Sequence, residues 1–355
     1  MSYKSNKFMF FSSSKRGYFL GIDFGARSIK VVEVKISKDI AYLANYGQVV
    51  LSKKKETLDR YEGDYAELLK KALKALLKKI DAKSKKVNVA IPAFSGLVMT
   101  VDFPIMTEEE LAKAIKYESR KYIPTSLDEV NVSWEIIEGE RNEEKKTMKV
   151  LLVAAPKAEV QYYDDLLSDI NIEVELLELE TFSLARLLVE EDSKRNLLLL
   201  DIGAKTTNIV LVVNGSVRIN RNVDVGGINI TNSIADNMKV SDERAREIKE
   251  SSKNLFAGAM ALNFPSVNYI ISEMRRVVKM KKGIKLDEVI VAGGTAKMTG
   301  LIEYIESNFG VKTSIANPMK RIKSNIKDSS GNLIELDSSY CVAAGLAIHG
   351  LKSDN

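Results

Sequence analysis

The chain is poor in the residues that carry most side-chain chemistry: one cysteine, Cys341, one histidine, His349, and six prolines among 355 residues. A single cysteine cannot close an internal disulfide, which excludes a stapled secreted scaffold. One His and one Cys cannot build a zinc cluster or a Ser-His or Cys-His nucleophile pair. Long apolar runs are missing too. Phe8-Met9-Phe10-Phe11, flanked by basic residues, is too short for a signal-peptide core, and nothing approaches the roughly 20 apolar residues of a membrane span. The charge excess is small, 53 Lys+Arg against 48 Asp+Glu, so no nucleic-acid partner is expected. With 45% hydrophobic and 28% charged residues the chain is an ordinary globular protein, expected in the cytoplasm. Its length allows about two or three domains.

What is present is an internal repeat. Leu20-Gly-Ile-Asp-Phe-Gly-Ala-Arg-Ser-Ile-Lys-Val-Val-Glu-Val34 aligns without gaps on Leu198-Leu-Leu-Asp-Ile-Gly-Ala-Lys-Thr-Thr-Asn-Ile-Val-Leu-Val212, placing Asp23 on Asp201 and Gly25 on Gly203 at an offset of 178 residues. That offset is far too long for a solenoid and predicts two related lobes. Each copy reads as strand, tight turn, strand. The second continues through Asn214-Gly215, a hairpin signal, into Ser216–Val225, and the first continues into Ile40–Val50. Both lobes therefore start with a β-meander, which counts against phosphate loops whose glycines open a helix. Backbone N–H groups at such turns, with the Ser28, Thr206 and Thr207 hydroxyls, form an anion-binding concavity. The preceding Asp repels a bare phosphate but suits a hydrated Mg²⁺. A lone D-x-G is only a turn; two aligned copies could clasp a polyphosphate.

A third element, Leu286-Asp-Glu-Val-Ile-Val-Ala-Gly-Gly-Thr-Ala-Lys-Met-Thr-Gly-Leu301, runs from a β-branched strand through Gly293-Gly294-Thr295 into a helical pattern. Two glycines at a strand end let the backbone approach a flat ligand closely. The three elements in this order resemble the phosphate-1, phosphate-2 and adenosine motifs of the actin/sugar-kinase/DnaK superfamily. Val225-Gly226-Gly227-Ile-Asn-Ile-Thr231, Ala245-Arg-Glu-Ile-Lys249-Glu250 and Ala343-Ala-Gly345-Leu-Ala347 are similar to that superfamily's later motifs. Between the hairpins lie Pro104-Ile-Met-Thr-Glu-Glu-Glu-Leu111 and Ile115-Lys-Tyr-Glu118-Ser-Arg-Lys-Tyr122-Ile123-Pro124, which closely resemble the hallmark of the PilM family of type IV pilus assembly. Asn229 stands where the Gly-Gly turn usually continues with Asp.

The resemblance covers the chain from about Gly17. It implies an α/β, actin-like ATPase fold with two lobes, each starting with a β-meander, and an inserted small α+β subdomain, 1C, of SHS2 type. The expected division is 1A at 17–86, 175–196 and 333–355; 1C at 87–174; 2A at 197–228 and 286–332; and 2B at 229–285. Strands Val87–Ile91, Val98–Asp102, Asn131–Ile137 and Thr147–Ala154 and helices Glu108–Tyr122 and Ala158–Asp169 are assigned to 1C, with Gly139–Thr147 as a hairpin tip. Helix Tyr65–Ile80 shows one apolar face and a lysine face (Lys70, Lys71, Lys74, Lys78, Lys79), read as a solvated face in preference to a membrane-surface helix.

By the same resemblance the cofactors are ATP and Mg. Asp23 and Asp201 would hold the metal through water, and Gly25, Ser28, Lys30, Gly203, Thr206, Thr207, Asn208, Gly226 and Gly227 would surround the phosphates. Lys249, Glu250, Gly293, Gly294, Thr295 and Met298 would hold the adenosine, and Glu180 is the candidate for orienting a hydrolytic water. The implied partner is the N-terminal cytoplasmic tail of a PilN-like inner-membrane protein, bound near the 1A–1C junction as an extended peptide. Other pilus-assembly components and self-association are allowed. The protein is expected to reach the inner membrane only through partners, as a scaffold hydrolysing ATP slowly if at all. An FtsA-like division filament and a small-molecule kinase of the same fold are the alternatives.

Overall fold

The computed structural model describes residues 17–51, 63–142, 144, 146–190, 192–258, 261–281 and 283–351; the Phe8–Phe11 stretch lies outside them. The chain opens with β1 (Gly17–Phe24), β2 (Ser28–Ser37) and β3 (Ile40–Val50), followed by α1 (Gly63–Lys79) and β4 (Lys86–Ile91). Then come β5 (Leu97–Pro104), α2 (Glu108–Glu118), β6 (Val130–Asn142), β7 (Thr147–Pro156), α3 (Lys157–Ser168), β8 (Glu173–Leu179) and α4 (Glu180–Leu188). The second half supplies β9 (Asn196–Ile202), β10 (Thr207–Val213), β11 (Ser216–Val223), α5 (Gly227–Met238), α6 (Asp242–Lys249) and α7 (Pro265–Met280). It closes with β12 (Glu288–Ala292), α8 (Leu301–Phe309), β13 (Thr313–Ile315), β14 (Ile322–Lys323) and α9 (Cys341–Ala347).

Two large sheets follow one plan. The first runs β14-β3-β2-β1-β4-β8 and the second β11-β10-β9-β12-β13. In each, an antiparallel meander is extended on its first strand by two parallel strands. The repeat read in the sequence thus continues through five strands, β4 and β8 matching β12 and β13. The Asn214-Gly215 turn closes as the sequence predicts, with φ of 50° and 75°, the paired left-handed geometry of a tight hairpin.

Three assignments differ from the sequence reading. Strand Lys86–Ile91, read as the head of 1C, lies inside the six-stranded sheet between β1 and β8. Its Val-Asn-Val-Ala-Ile run is buried at every position, as a central parallel strand requires. Helix α3 also belongs with that sheet, its Tyr163, Leu166 and Leu167 joining the first lobe's core. The inserted unit is therefore β5, α2, β6 and β7, whose separate core includes Phe103, Leu111, Ile115, Ile123, Met148 and Leu152. Helix α2 is started by a reciprocal capping box between Thr107 and Glu110, an arrangement worth about 1 kcal/mol. Lastly, β14, from the stretch assigned to 2A, pairs with β3 of the first sheet.

At the back of the molecule α9 packs on α4 so tightly that a Cβ on Gly345 would lie 1.9 Å from the Ser183 carbonyl oxygen. Beside this contact Arg186 grips Glu178 through two hydrogen bonds of 2.5 and 2.6 Å and donates a third, at 3.1 Å, to the Gly345 carbonyl. The insert also reaches the second lobe, where Thr100 Oγ1 donates to the Arg218 carbonyl at 3.1 Å.

Candidate functional site

A cleft of about 770 Å³ separates the two sheets, with the two D-x-G turns on opposite walls. Of the residues singled out in the sequence, Asp23, Gly25, Ser28, Lys30, Glu180, Asp201, Gly203, Thr206, Asn208, Gly227, Lys249, Glu250, Gly293, Gly294, Thr295 and Met298 all line it. Thr207 and Gly226 do not. Thr207 begins β10, faces the interior, and its hydroxyl donates to the Val225 carbonyl at 2.7 Å, tying strand to loop. Gly226 lies behind the second turn, against the Ala204 carbonyl, and serves as the N-cap of α5.

Each carboxylate is positioned by register. Asp23 is opposite Lys30 across β1 and β2, and Asp201 is opposite Asn208 across β9 and β10. The Lys30 ammonium is 3.8 Å from Asp23. Among the described residues no cation is ion-paired with Asp201, whose carboxyl burial pushes up to about 6, with the charge of Asp23 adding and Lys30 opposing. Burial raises Asp23 as well, and Lys30 restrains it. Two enclosed carboxylates that repel each other form a cation-seeking pair. Among the described residues no group of three or more His, Cys, Asp or Glu could hold a metal. A divalent ion at this pair would take its remaining ligands from water and from a bound anion.

The walls are otherwise cationic. Arg27, Lys30, Lys205, Arg246, Lys249 and Lys297 face the cleft against four carboxylates, Asp23, Glu180, Asp201 and Glu250. Burial brings Lys249 down to about 8, opposed by Glu250 and assisted by Arg27 and Arg246, and its ammonium donates to the Gly227 carbonyl at 2.9 Å. Asn208 is nearly enclosed. Its Nδ2 donates to Thr181 at 3.3 Å, while its Oδ1 has no hydrogen-bond partner among the described residues. At the mouth Gly293 adopts φ of +88°, and a Cβ there would lie 2.5 Å from an Asp201 carboxylate oxygen, so only glycine fits.

Two sequence questions find local answers. Asn229 Oδ1 accepts from the Gly226 N–H at 2.9 Å, so this position caps α5 and needs no negative charge. Glu180, the first residue of α4, accepts from the Ala93 N–H at 3.2 Å and so braces the stem of the insert while lining the cleft.

Sequence reasoning missed Arg27, Lys205, Arg246, Lys297, Ser338, Ser339 and Cys341 in the lining. Arg27 and Lys205 were visible as the basic pair of the repeat, and Arg246 as the residue one helical turn before Lys249. Ser338 gave no signal. It arrives from 45 positions downstream to bond the Gly293 carbonyl at 3.1 Å.

The comparisons agree with this architecture. In solved structures, the chain resembles that of a PilM-PilN type IV pilus biogenesis complex with a TM-score of 0.79 at 22% identity, covering 95% of this chain and 100% of that one. The ethanolamine utilization protein EutJ of Carboxydothermus hydrogenoformans gives 0.58 at 15% identity, over 96% and 92%. MreB5 of Spiroplasma citri, bound to AMPPNP, gives 0.50 at 14%, over 94% and 96%. The fold is the actin-like ATPase fold. The cell division protein FtsA of Pseudomonas aeruginosa is 24% identical, over 52% of this chain and 49% of that protein; the chain spans about half the length of this curated relative. The profile of the family described as "Type IV pilus assembly protein PilM" matches residues 21–351, nearly the whole chain, and the chain belongs to that family.

Proposed function

We propose that the chain is an ATP-binding scaffold of the type IV pilus assembly platform at the cytoplasmic face of the inner membrane. The observation that carries this reading is the cleft between two duplicated D-x-G turns, with paired buried carboxylates inside a net positive lining. Gly25, Ser28, Gly203 and Thr206 would bring turn N–H and hydroxyl groups to the phosphates, with Lys30, Arg27 and Lys205 balancing their charge. The unpartnered Asn208 Oδ1 suits a hydroxyl, water or ammonium donor. Lys249, Glu250 and Thr295 would hold the ribose, and Gly293, Gly294 and Met298 the base. Bound Mg²⁺ would neutralise phosphate charge, and Asp23 and Asp201 would accept hydrogen bonds from its water shell. Glu180 already holds the Ala93 N–H, which favours a slow hydrolase or none.

Two results test this. Mg-ATP is expected to raise the melting temperature, adding about 4 kcal/mol at 1,000 times its Kd. Asp23→Ala and Asp201→Ala should each lose that gain, and parent-like gains in both would overturn the clasp. For the partner, the N-terminal cytoplasmic peptide of a PilN-like protein should be captured by this chain. Absence of capture, with filaments forming under Mg-ATP, would favour an FtsA-like role.

A further inference from the structure

The insert belongs to the first lobe by its stem, yet one of its edges rests on the second. Strand β5 is an outer strand of the insert's sheet, β5-β7-β6, and β11 is an outer strand of the second large sheet. β5 and the short helical turn Ala93–Ser95 at the stem pack along β11, so two strand edges that would otherwise be bare cover one another. At this contact β11 carries a bulge. Leu211 is opposite Ile219 and Val212 opposite Val217, so Arg218 is the extra residue. A bulge lifts its residue out of the ladder and re-aims it. Here the Arg218 carbonyl accepts from Thr100 Oγ1 at 3.1 Å, and Arg218 is 3% exposed although it stands on an outer strand.

The junction is docked and not fused. β5 and β11 belong to different sheets, and the hydrogen bond between them runs from a side chain to the backbone. Such a contact can part and reform without unravelling a ladder. Thr100 and Arg218 are 118 positions apart, so it ties the lobes where the chain does not join them. Inside the cleft, Asp23, Asn208 and Lys249 line the walls from both lobes and are 6%, 4% and 8% exposed. A ligand touching all three enters by the walls parting. That movement slides β11 off β5 or bends the stem, which Glu180 holds at the Ala93 N–H at 3.2 Å. Either course costs a hydrogen bond.

We propose that the insert, docked at this bulge, is a brake on cleft opening, and that its undocking sets the rate at which nucleotide enters and leaves. This rests on the nucleotide-binding role proposed above and adds its regulation. A brake that holds the closed state with or without ligand has no preference between the two, so releasing it speeds entry and exit together and leaves affinity nearly unchanged. Damage to the cleft instead weakens affinity, through slower entry or faster exit alone.

The experiment is stopped-flow binding of a fluorescent ATP analogue with Mg²⁺ to the full chain, followed by a chase with unlabelled Mg-ATP. Thr100→Val keeps the shape and removes the hydroxyl, and should raise both the association and the release rates about fivefold, the worth of one hydrogen bond. Thr100→Lys places a charge against the covered edge and should raise both by at least about tenfold. Thr100→Ser keeps the donor and should behave like the parent. If Thr100→Lys misfolds, the comparison of the valine and serine variants decides. Binding of the analogue with parent-like rates in Thr100→Val overturns the brake and leaves the nucleotide role standing. Faster release with unchanged or slower association, and so a weaker Kd, also overturns it. Failure of the parent to bind the analogue overturns the nucleotide role, and the brake with it.

Discussion

Asp201→Asn is expected to raise the melting temperature of the ligand-free protein above pH 7 while weakening its response to Mg-ATP. Asp201 has a folded-state pKa near 6 against an ordinary 3.8, raised first by burial and then by Asp23. A carboxyl raised by folding binds more protons in the folded state, so the ligand-free protein should lose stability as pH rises from about 4 through about 6. Above that range the loss is complete, at most about 3 kcal/mol for a shift of this size. The amide variant keeps the shape, carries no charge, and should show a smaller loss between pH 4 and 7, with the buried Asp23 still contributing its own part. A melting curve at each pH, with and without Mg-ATP, separates the two effects. A parent-like pH profile in the variant would show that Asp201 is not the strained group. On the proposed reading, a hydrated cation beside both carboxylates would offset this deficit by opposing their repulsion.

Arg186→Met should destabilise the protein by about 3–5 kcal/mol, the cost of leaving a buried charge without its partner. Glu178 is enclosed, and both of its oxygens are held by the Arg186 guanidinium, whose third bond fastens α9 at Gly345. Adding Glu178→Leu to Arg186→Met should recover much of the loss, since a well-packed apolar pair replaces buried ions at little cost. Urea unfolding of the two single variants and the double variant reads this directly. Equal losses in single and double variants would mean that packing of the arginine stem against α9, and not charge, is what matters.

The cleft was largely legible because its parts are local and repeated. Asp23 and Asp201 show in the alignment, and β-register then dictates Lys30 and Asn208 as their neighbours. Thr207 is grouped in the sequence with Thr206 and Asn208, but successive strand residues face opposite sides, so it turns away from the cleft that its two neighbours line. Strand β4 and helix α3 were assigned to the insert because a chain reading follows sequence order. Their apolar patterns say that they are buried but not against which sheet. Ser338 and Ser339 were invisible for a related reason: Ser338 reaches Gly293 by tertiary contact and Ser339 lies beside Gly294, with no motif of their own.

The matching order of the two large sheets has a consequence for how the molecule transmits force. In the second lobe the chain leaving β12 turns at Gly293-Gly294, at the cleft's rim, before entering α8 and β13. The first-lobe counterpart of that turn is Pro92-Ala93, leaving β4, and here the whole inserted unit is spliced in before the chain resumes at α3 and β8. The insert therefore hangs from the first-lobe counterpart of the Gly-Gly turn, with Glu180 clasping its stem from inside the cleft. Its edge strand β5, the first after the stem, touches the opposite lobe at Arg218. A unit bonded at its stem beside the cleft and along β5 to the second lobe would be sensitive to the separation of the two lobes. A few degrees of lobe rotation would be read out as displacement at its tip, and a pull on the tip would be felt at Glu180.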